Sequence, residues 1–433
     1  MEIRSLEQLR EPDPRTQAFT PHGLGMDRIL TPESAAEFQQ RVIGRLELTG
    51  AVADGTRRSF ERLRTIYAYG VLCYDVFTLV NDAALLVLEQ ALRDRFVTYH
   101  QHGMKLVDPD GEMREIQIGG YEHVRSYFKR NRRKRLRLVV GDSGATIAFR
   151  DGMLSDLRVW ARAAGLLRGQ RNRFVEDAMA ALRNEVAHPN GYNLLSPVDA
   201  ARTVTDLAEI INQLWGEATE NGRLYPTPMR REILTLARTP DGVDIAARAE
   251  RLADDDAELL GAEHLIVRAV FHDPDLHWFQ GRWEATSYPA DWLWGPGSAD
   301  AARDWLRTLQ PAEDSCDYLD RVFAVHHVGA DLYLPMTPDA VLALPDADRS
   351  GSWHIVRADH PDAAFTHVKN RVLGLSCQQT GPCDNCPAEL LAQGAFPDIA
   401  ELLKVNQTNA QYVLPPELAR PRARAHKFQL PEP

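Results

Sequence analysis

Leu182-Arg183-Asn184-Glu185-Val186-Ala187-His188-Pro189 closes a run of helical spacing that starts at Asn172. Val175, Ala178, Met179, Leu182 and Val186 recur at three- and four-residue steps and predict an amphipathic helix with one apolar stripe. Pro189-Asn190-Gly191 ends it. Successive residues of an ideal helix are about 100° apart, so Asn184 and His188 share a face and Arg183 sits about 140° from His188. Arginine clamps a phosphate oxygen, histidine exchanges a proton near neutral pH, and asparagine orients either group. A single copy makes a loose site. Two copies facing each other across a twofold axis bring two arginines and two histidines together, so a catalytic reading predicts a homodimer. The other reading is a solvated helix end in which His188 caps the last carbonyls.

Around this stretch the chain reads as mainly helical. Thr31-Pro32-Glu33-Ser34 offers a helix start, with helical spacing through Leu48. From Arg57 to Phe96 the apolar period is again helical, and Gly70 or Asn81-Asp82 divides a stretch too long for one ordinary helix. Met104 to Ile118 reads as a hairpin about Asp108-Pro109-Asp110-Gly111. A basic helix follows over Tyr121–Arg135, then Leu136–Val140, then another helix over Leu154–Gly165. Ser196-Pro197 starts a further helix that runs to Trp215. The expected organisation is an N-terminal arm and helix over 1–50, a helical domain over 51–218 with a basic insertion at about 100–150, and a mixed α/β region over 219–433. In that last region a helix is expected over Val243–Leu260, and strands at Leu265–Phe271 and Arg321–Val328. Trp278, Trp283, Trp292 and Trp294 read as core packing. Arg420–Pro433 reads as a frayed end.

Arg183-Asn184-Glu185-Val186-Ala187-His188 resembles the signature of the HEPN superfamily. The resemblance extends to residues 55–96, which look like the first long helices of such domains, and to 151–217, which look like the motif helix and the closing helix. It implies a mainly α, HEPN-like helical bundle acting as a metal-independent endoribonuclease and homodimer, in a toxin or antiviral defence setting. It also implies the roles: His188 activates the ribose 2′-hydroxyl or protonates the leaving oxygen, Arg183 stabilises the pentavalent phosphate, and Asn184 positions the scissile group. The products would carry 2′,3′-cyclic phosphate and 5′-hydroxyl ends. No cofactor is implied for catalysis. The rival reading is a non-catalytic HEPN-like module that binds RNA or nucleotide, or that regulates through a protein partner.

Composition narrows the partners. The 433 residues are 44% hydrophobic and 26% charged, with a net charge of −11. A polyanion must therefore be met by a local basic patch. Arg125, Lys129, Arg130, Arg132, Arg133, Lys134, Arg135 and Arg137 supply one, interleaved with Tyr121, Tyr127 and Phe128. Cations neutralise phosphates and aromatic rings stack on unpaired bases, so this segment is the candidate RNA-binding surface. A solvated face paired with acidic neighbours is the alternative. No apolar run is long enough to span a membrane, and no signal-peptide core stands at the start. With five cysteines, the chain reads as cytoplasmic rather than disulfide-built.

Three of those cysteines cluster. Cys383 and Cys386 form a Cys-x-x-Cys pair on a Gly-Pro loop, and Cys377 precedes them. Such a pair grips a tetrahedral metal, and structural zinc is the expected occupant. His367 is the nearest upstream histidine for a fourth ligand, with His360 and Cys316 as alternatives. An iron–sulfur cluster and free or redox-active thiols stay open at this point. His326 and His327 point to opposite faces of an expected strand, which argues against their sharing a metal.

Overall fold

The computed structural model describes residues 3–20, 23–24, 29–44, 46–141, 144–150, 152–170, 172–173, 176–177, 179–180, 194–216, 230–238, 244–248, 263–271, 290–308, 319–329, 331–407 and 424–427. The chain divides into two compact units. One comprises Met1–Arg168, Val175–Thr219 and Arg223–Thr227; the other comprises Gly169–Phe174, Glu220–Gly222 and Pro228–Pro433.

The first unit is built on the helix Val76–Tyr99. Phe77, Val80, Ala84, Leu85, Val87, Leu88, Ala91, Leu92 and Phe96 are buried over more than half of its circumference, while Leu79 and Leu86 stand exposed on the remaining face. Burial over so wide an arc lets several helices pack on it at once. Asp54–Ala68 packs on it through Phe60, Leu63 and Tyr67, Leu154–Ala163 through Leu157, Trp160 and Ala161, and Pro197–Leu214 along its length. The long apolar period is cut at Gly70, in a 3-10 turn over Tyr69–Val71. A Cβ on Gly70 would lie 2.2 Å from the Phe77 ring, so the close crossing needs glycine there. At the start of Pro197–Leu214, Ser196 Oγ accepts from the Asp199 backbone N–H at 3.1 Å, and Asp199 returns the bond to the Ser196 N–H at 3.2 Å. Residues near the N-terminus are tied to this body. Asp13 accepts from the Tyr74 backbone N–H at 3.0 Å, and Arg15 bridges Asp13 and Asp75.

The insertion is a four-stranded antiparallel sheet, ordered Met113–Ile116, Met104–Val107, Arg137–Val140, Ala145–Ala148. The hairpin stands where the turn residues put it, and Asp108 accepts from the backbone N–H groups of Asp110 and Glu112. The basic helix stops earlier than its charge run suggests. It spans Tyr121–Arg130, and Arg132–Lys134 form a 3-10 turn. Arg135 adopts φ 48°, a left-handed conformation that ends the turn and starts the strand. Phe128, Phe149 and Phe96 stack in sequence, with centroids 4.9 and 5.2 Å apart, and fasten the insertion to the central helix.

In the second unit a six-stranded antiparallel sheet runs Gly381–Pro382, Ala388–Gly394, Ser352–Ala358, Arg321–Val328, Asp331–Tyr333, Arg424–Lys427. Alternation along the strands makes two apolar faces. The helix Pro361–Val372 covers one through Ala364, Phe365 and Val368, against Phe323, Val325, Val356 and Leu390. Helices Pro338–Leu342 and Phe396–Val405 cover the other, against Ala324, Trp353 and Ile355. His326 stacks on Trp353, with centroids 4.2 Å apart, while His327 faces His354 on the opposite side, as the alternation requires.

A second sheet has four strands, ordered Ala290–Gly297, Glu263–Phe271, Arg230–Arg238, Asp244–Arg248. Two expectations change here. Residues 244–248 form a strand rather than the start of a helix, because pairing with Arg230–Arg238 outweighs the helix preference of alanine; residues 249–260 lie outside the described set. Residues 424–427, expected to fray, pair with Asp331–Tyr333. Trp294 is buried, as core packing requires, and Trp278 and Trp283 fall outside the described residues.

Candidate functional site

The second unit brings four ligand-type side chains together. His367, Cys377, Cys383 and Cys386 place their nitrogen and sulfur atoms within 4.8 Å of one another. His367 lies on the inner face of Pro361–Val372, one helical turn from Ala364 and next to Val368, and is fully buried. After that helix the chain turns at Gly374 and carries Cys377 at φ 62°. Cys383 and Cys386 sit in the short turn between Gly381–Pro382 and Ala388–Gly394. Backbone bonds from Cys383 N–H to Ala388 O and from Ala388 N–H to Cys386 O close that turn. Arg371 pins the loop to the helix end, donating to Cys377 O at 3.0 Å and to Gln378 O.

The spacing suits one ion. Cys377 Sγ and Cys386 Sγ are 3.7 Å apart, far outside a disulfide bond of about 2 Å. Arms of about 2.3 Å directed to tetrahedral corners have edges of about 3.8 Å. His367 Nδ1 is 3.2 Å from Cys386 Sγ, and the Asn385 backbone N–H donates to Cys383 Sγ at 3.4 Å. The electrostatics ask for a cation. Burial pushes the Cys377 and Cys386 thiols up, and burial, reinforced by Arg371, lowers His367 to about 4. Burial therefore favours the neutral forms of His367, Cys377 and Cys386, and a divalent ion would convert the cysteines to thiolate ligands beside a neutral imidazole. All four residues can hold a metal ion. His360 instead caps Pro361–Val372, its Nδ1 accepting from the Asp362 N–H at 2.9 Å, and Cys316 lies outside the described residues.

In the first unit, Arg183, Asn184 and His188 lie outside the described residues. Residues 176–177 and 179–180, shortly before them, are described and helical. There Glu176, wholly buried, is held by Arg162 at 2.8 Å and Arg158 at 3.6 Å, and Arg158 also pairs with Asp177. Burial raises the Glu176 pKa against the two arginines. Nothing in the spacing of the motif announces this buried cluster.

The basic segment separates into two parts. Arg125 turns toward the body of the unit and pairs with Glu122 at 3.5 Å. Lys129, Arg130, Arg132, Arg133, Lys134, Arg135 and Arg137 are exposed, and none has a carboxylate partner among the described residues. Arg132, Arg135 and Arg137 line a cavity of about 440 Å³ whose apolar wall includes Phe128 and Phe149. Arg150 joins them. It is remote from the basic run and arrives through the strand pair Arg137–Val140 and Ala145–Ala148, in which Arg137 faces Ala148. The alternation of that hairpin is the only sequence signal that would have found it.

No family model matches the chain, and neither the curated proteins nor the solved structures show a significant match. No described helix is long and apolar enough to cross a membrane.

Proposed function

We propose that the chain is a HEPN-like endoribonuclease that recruits RNA through its basic insertion and cleaves it at Arg183, Asn184 and His188 of a homodimer. The observation that carries this reading is the row of exposed cations with no carboxylate partner among the described residues, in a chain of net charge −11. Such a row can displace counterions from a phosphate backbone. The long helices Asp54–Ala68, Val76–Tyr99 and Pro197–Leu214 support it as a bundle of the expected kind. His188 removes the 2′-hydroxyl proton and returns a proton to the leaving 5′-oxygen, while Arg183 of either copy neutralises the phosphorane. A zinc ion on His367, Cys377, Cys383 and Cys386 staples the C-terminal sheet and takes no part in catalysis. A toxin or antiviral role is the setting that fits a ribonuclease of this type.

A binding module without cleavage has the same cation row in its favour. The two part on one experiment. The full chain is incubated with tRNA, mRNA and single-stranded DNA in EDTA, beside His188→Ala. The ribonuclease cuts RNA alone, leaves cyclic phosphate ends, and loses on the order of 100-fold or more in rate with the substitution. If wild type and variant leave RNA equally intact while both retain it, the module reading replaces the enzyme.

A further inference from the structure

The arginine-lined cavity is more than one part of a diffuse basic field. Its four guanidinium groups come from three separate places: the turn after the basic helix (Arg132, Arg135), the strand Arg137–Val140, and the end of the strand Ala145–Ala148 (Arg150). The same unit neutralises other arginines close by, pairing Arg114 with Asp108 at 3.2 Å and Arg125 with Glu122. Around the cavity no described carboxylate does so. Arg137 is held in place, Nε donating to Thr146 Oγ1 at 2.9 Å and Nη2 to Thr146 O at 2.8 Å, which leaves Nη1 for a ligand. Arg135 occupies a left-handed conformation that a non-glycine residue adopts at a cost, and such strain gathers at ligand sites.

We propose that this cavity seats one nucleotide, with its phosphates among Arg132, Arg135, Arg137 and Arg150 and its sugar and base along Pro109 and Ala148, over the buried Phe128 and Phe149. The volume of about 440 Å³ falls in the range of small-molecule sites, about 300–1,000 Å³. Four cations exceed what a lone inorganic phosphate balances. They match a nucleoside di- or triphosphate, or consecutive phosphodiesters of an RNA strand, and guanidinium forks suit either. The apolar wall gives a base somewhere to lie, which an anion alone does not need. This proposal deepens the RNA-binding reading of the insertion but does not depend on cleavage at His188.

Binding to the full chain is measured by fluorescence anisotropy, with a 12-nucleotide single-stranded RNA and with a fluorescent nucleoside triphosphate. Pyrophosphate and unlabelled nucleotides serve as competitors. Arg150→Ala should weaken binding at least tenfold and Arg150→Lys should restore part of it, while Arg114→Ala, outside the cavity and paired with Asp108, should cost less than threefold. Thermal melting checks that each variant is folded. Tight nucleoside triphosphate binding identifies a free nucleotide as the ligand; RNA binding that free nucleotide does not compete identifies a strand. Equal losses in Arg150→Ala and Arg114→Ala, or pyrophosphate competing as well as nucleotide, would overturn the proposal. Nucleoside triphosphate binding is read without any cleavage step, so absence of cleavage and absence of the pocket are read separately.

Discussion

The two candidate sites handle charge in opposite ways. In the sheet of the second unit, His367, Cys377, Cys383 and Cys386 face one another within 4.8 Å and are largely withdrawn from solvent. On the inserted sheet of the first unit, Arg132, Arg135, Arg137 and Arg150 line a cavity and pair with no carboxylate among the described residues. The first arrangement has room for an ion and nothing larger. The second is left charged, and a like-charged group survives only where solvent or a ligand supplies the missing anions. A third group makes the contrast sharper. Arg158 and Arg162 are arginines of the same unit, yet they close on buried Glu176. Closed groups hold the fold; open ones wait for something outside it.

The contrast would break first at the thiol cluster. If a metal closes it, elemental analysis finds one zinc per chain, and Cys383→Ser loses it. Structural zinc binds with a free energy on the order of 10 kcal/mol, so stripping the ion should melt the loop after Pro361–Val372 well before the rest of the unit. Full-strength hydrogen-exchange protection there without metal would sink the idea. Next in size is the closed arginine pair. Glu176→Gln leaves Arg158 and Arg162 without their buried partner, and denaturant melts should show a loss of about 3–5 kcal/mol. Arg132→Ala, on the open side, should stay within about 0.5 kcal/mol. Similar losses at both places would erase the distinction.

A further effect, below the loss expected for Glu176→Gln, is set by pH. His100 is buried against Phe96 and Trp160, and burial, opposed by the backbone at Gly103, lowers its pKa to about 4. The unfolded chain has this histidine near 6.5, so between pH 6.5 and 4 the unfolded state binds more protons. Stability should be level above pH 6.5 and fall by up to about 3 kcal/mol as pH drops to 4. His100→Phe should flatten that window relative to wild type; an unaltered slope in urea titrations would assign the acid sensitivity elsewhere.

Features that a few neighbouring residues determine were legible in the sequence. Ser196-Pro197 announces its helix because the cap is made within four positions. Gly70 announces a break, and Asp108-Pro109-Asp110-Gly111 a hairpin, for the same reason. The cysteine spacing marked a metal loop and left His367, His360 and Cys316 as candidates for the fourth ligand; the place of His367 one turn from Ala364 on the covered face shows why it is the one that turns inward. Pairing between elements left no such mark. Asp244–Arg248 is a strand because Arg230–Arg238 lies beside it. Arg150 reaches the cavity through a hairpin, and Glu176 finds its arginines on another helix. Each of these is set by a partner on another element, beyond the few residues that a cap or turn spans.

The crossing at Gly70 touches more than one helix end. The Phe77 ring that fills the space packs edge-on against Tyr67 and Tyr74, with centroids 5.1 and 5.7 Å away. Tyr67 in turn donates from its hydroxyl to Pro197 O at 2.8 Å, at the head of the helix that follows the motif. One extra methyl group at position 70 would push along that line of rings toward Pro197. Such a substitution makes a natural conditional allele: it gives living cells a thermal on–off handle on the protein while every charged and metal-binding side chain keeps its identity.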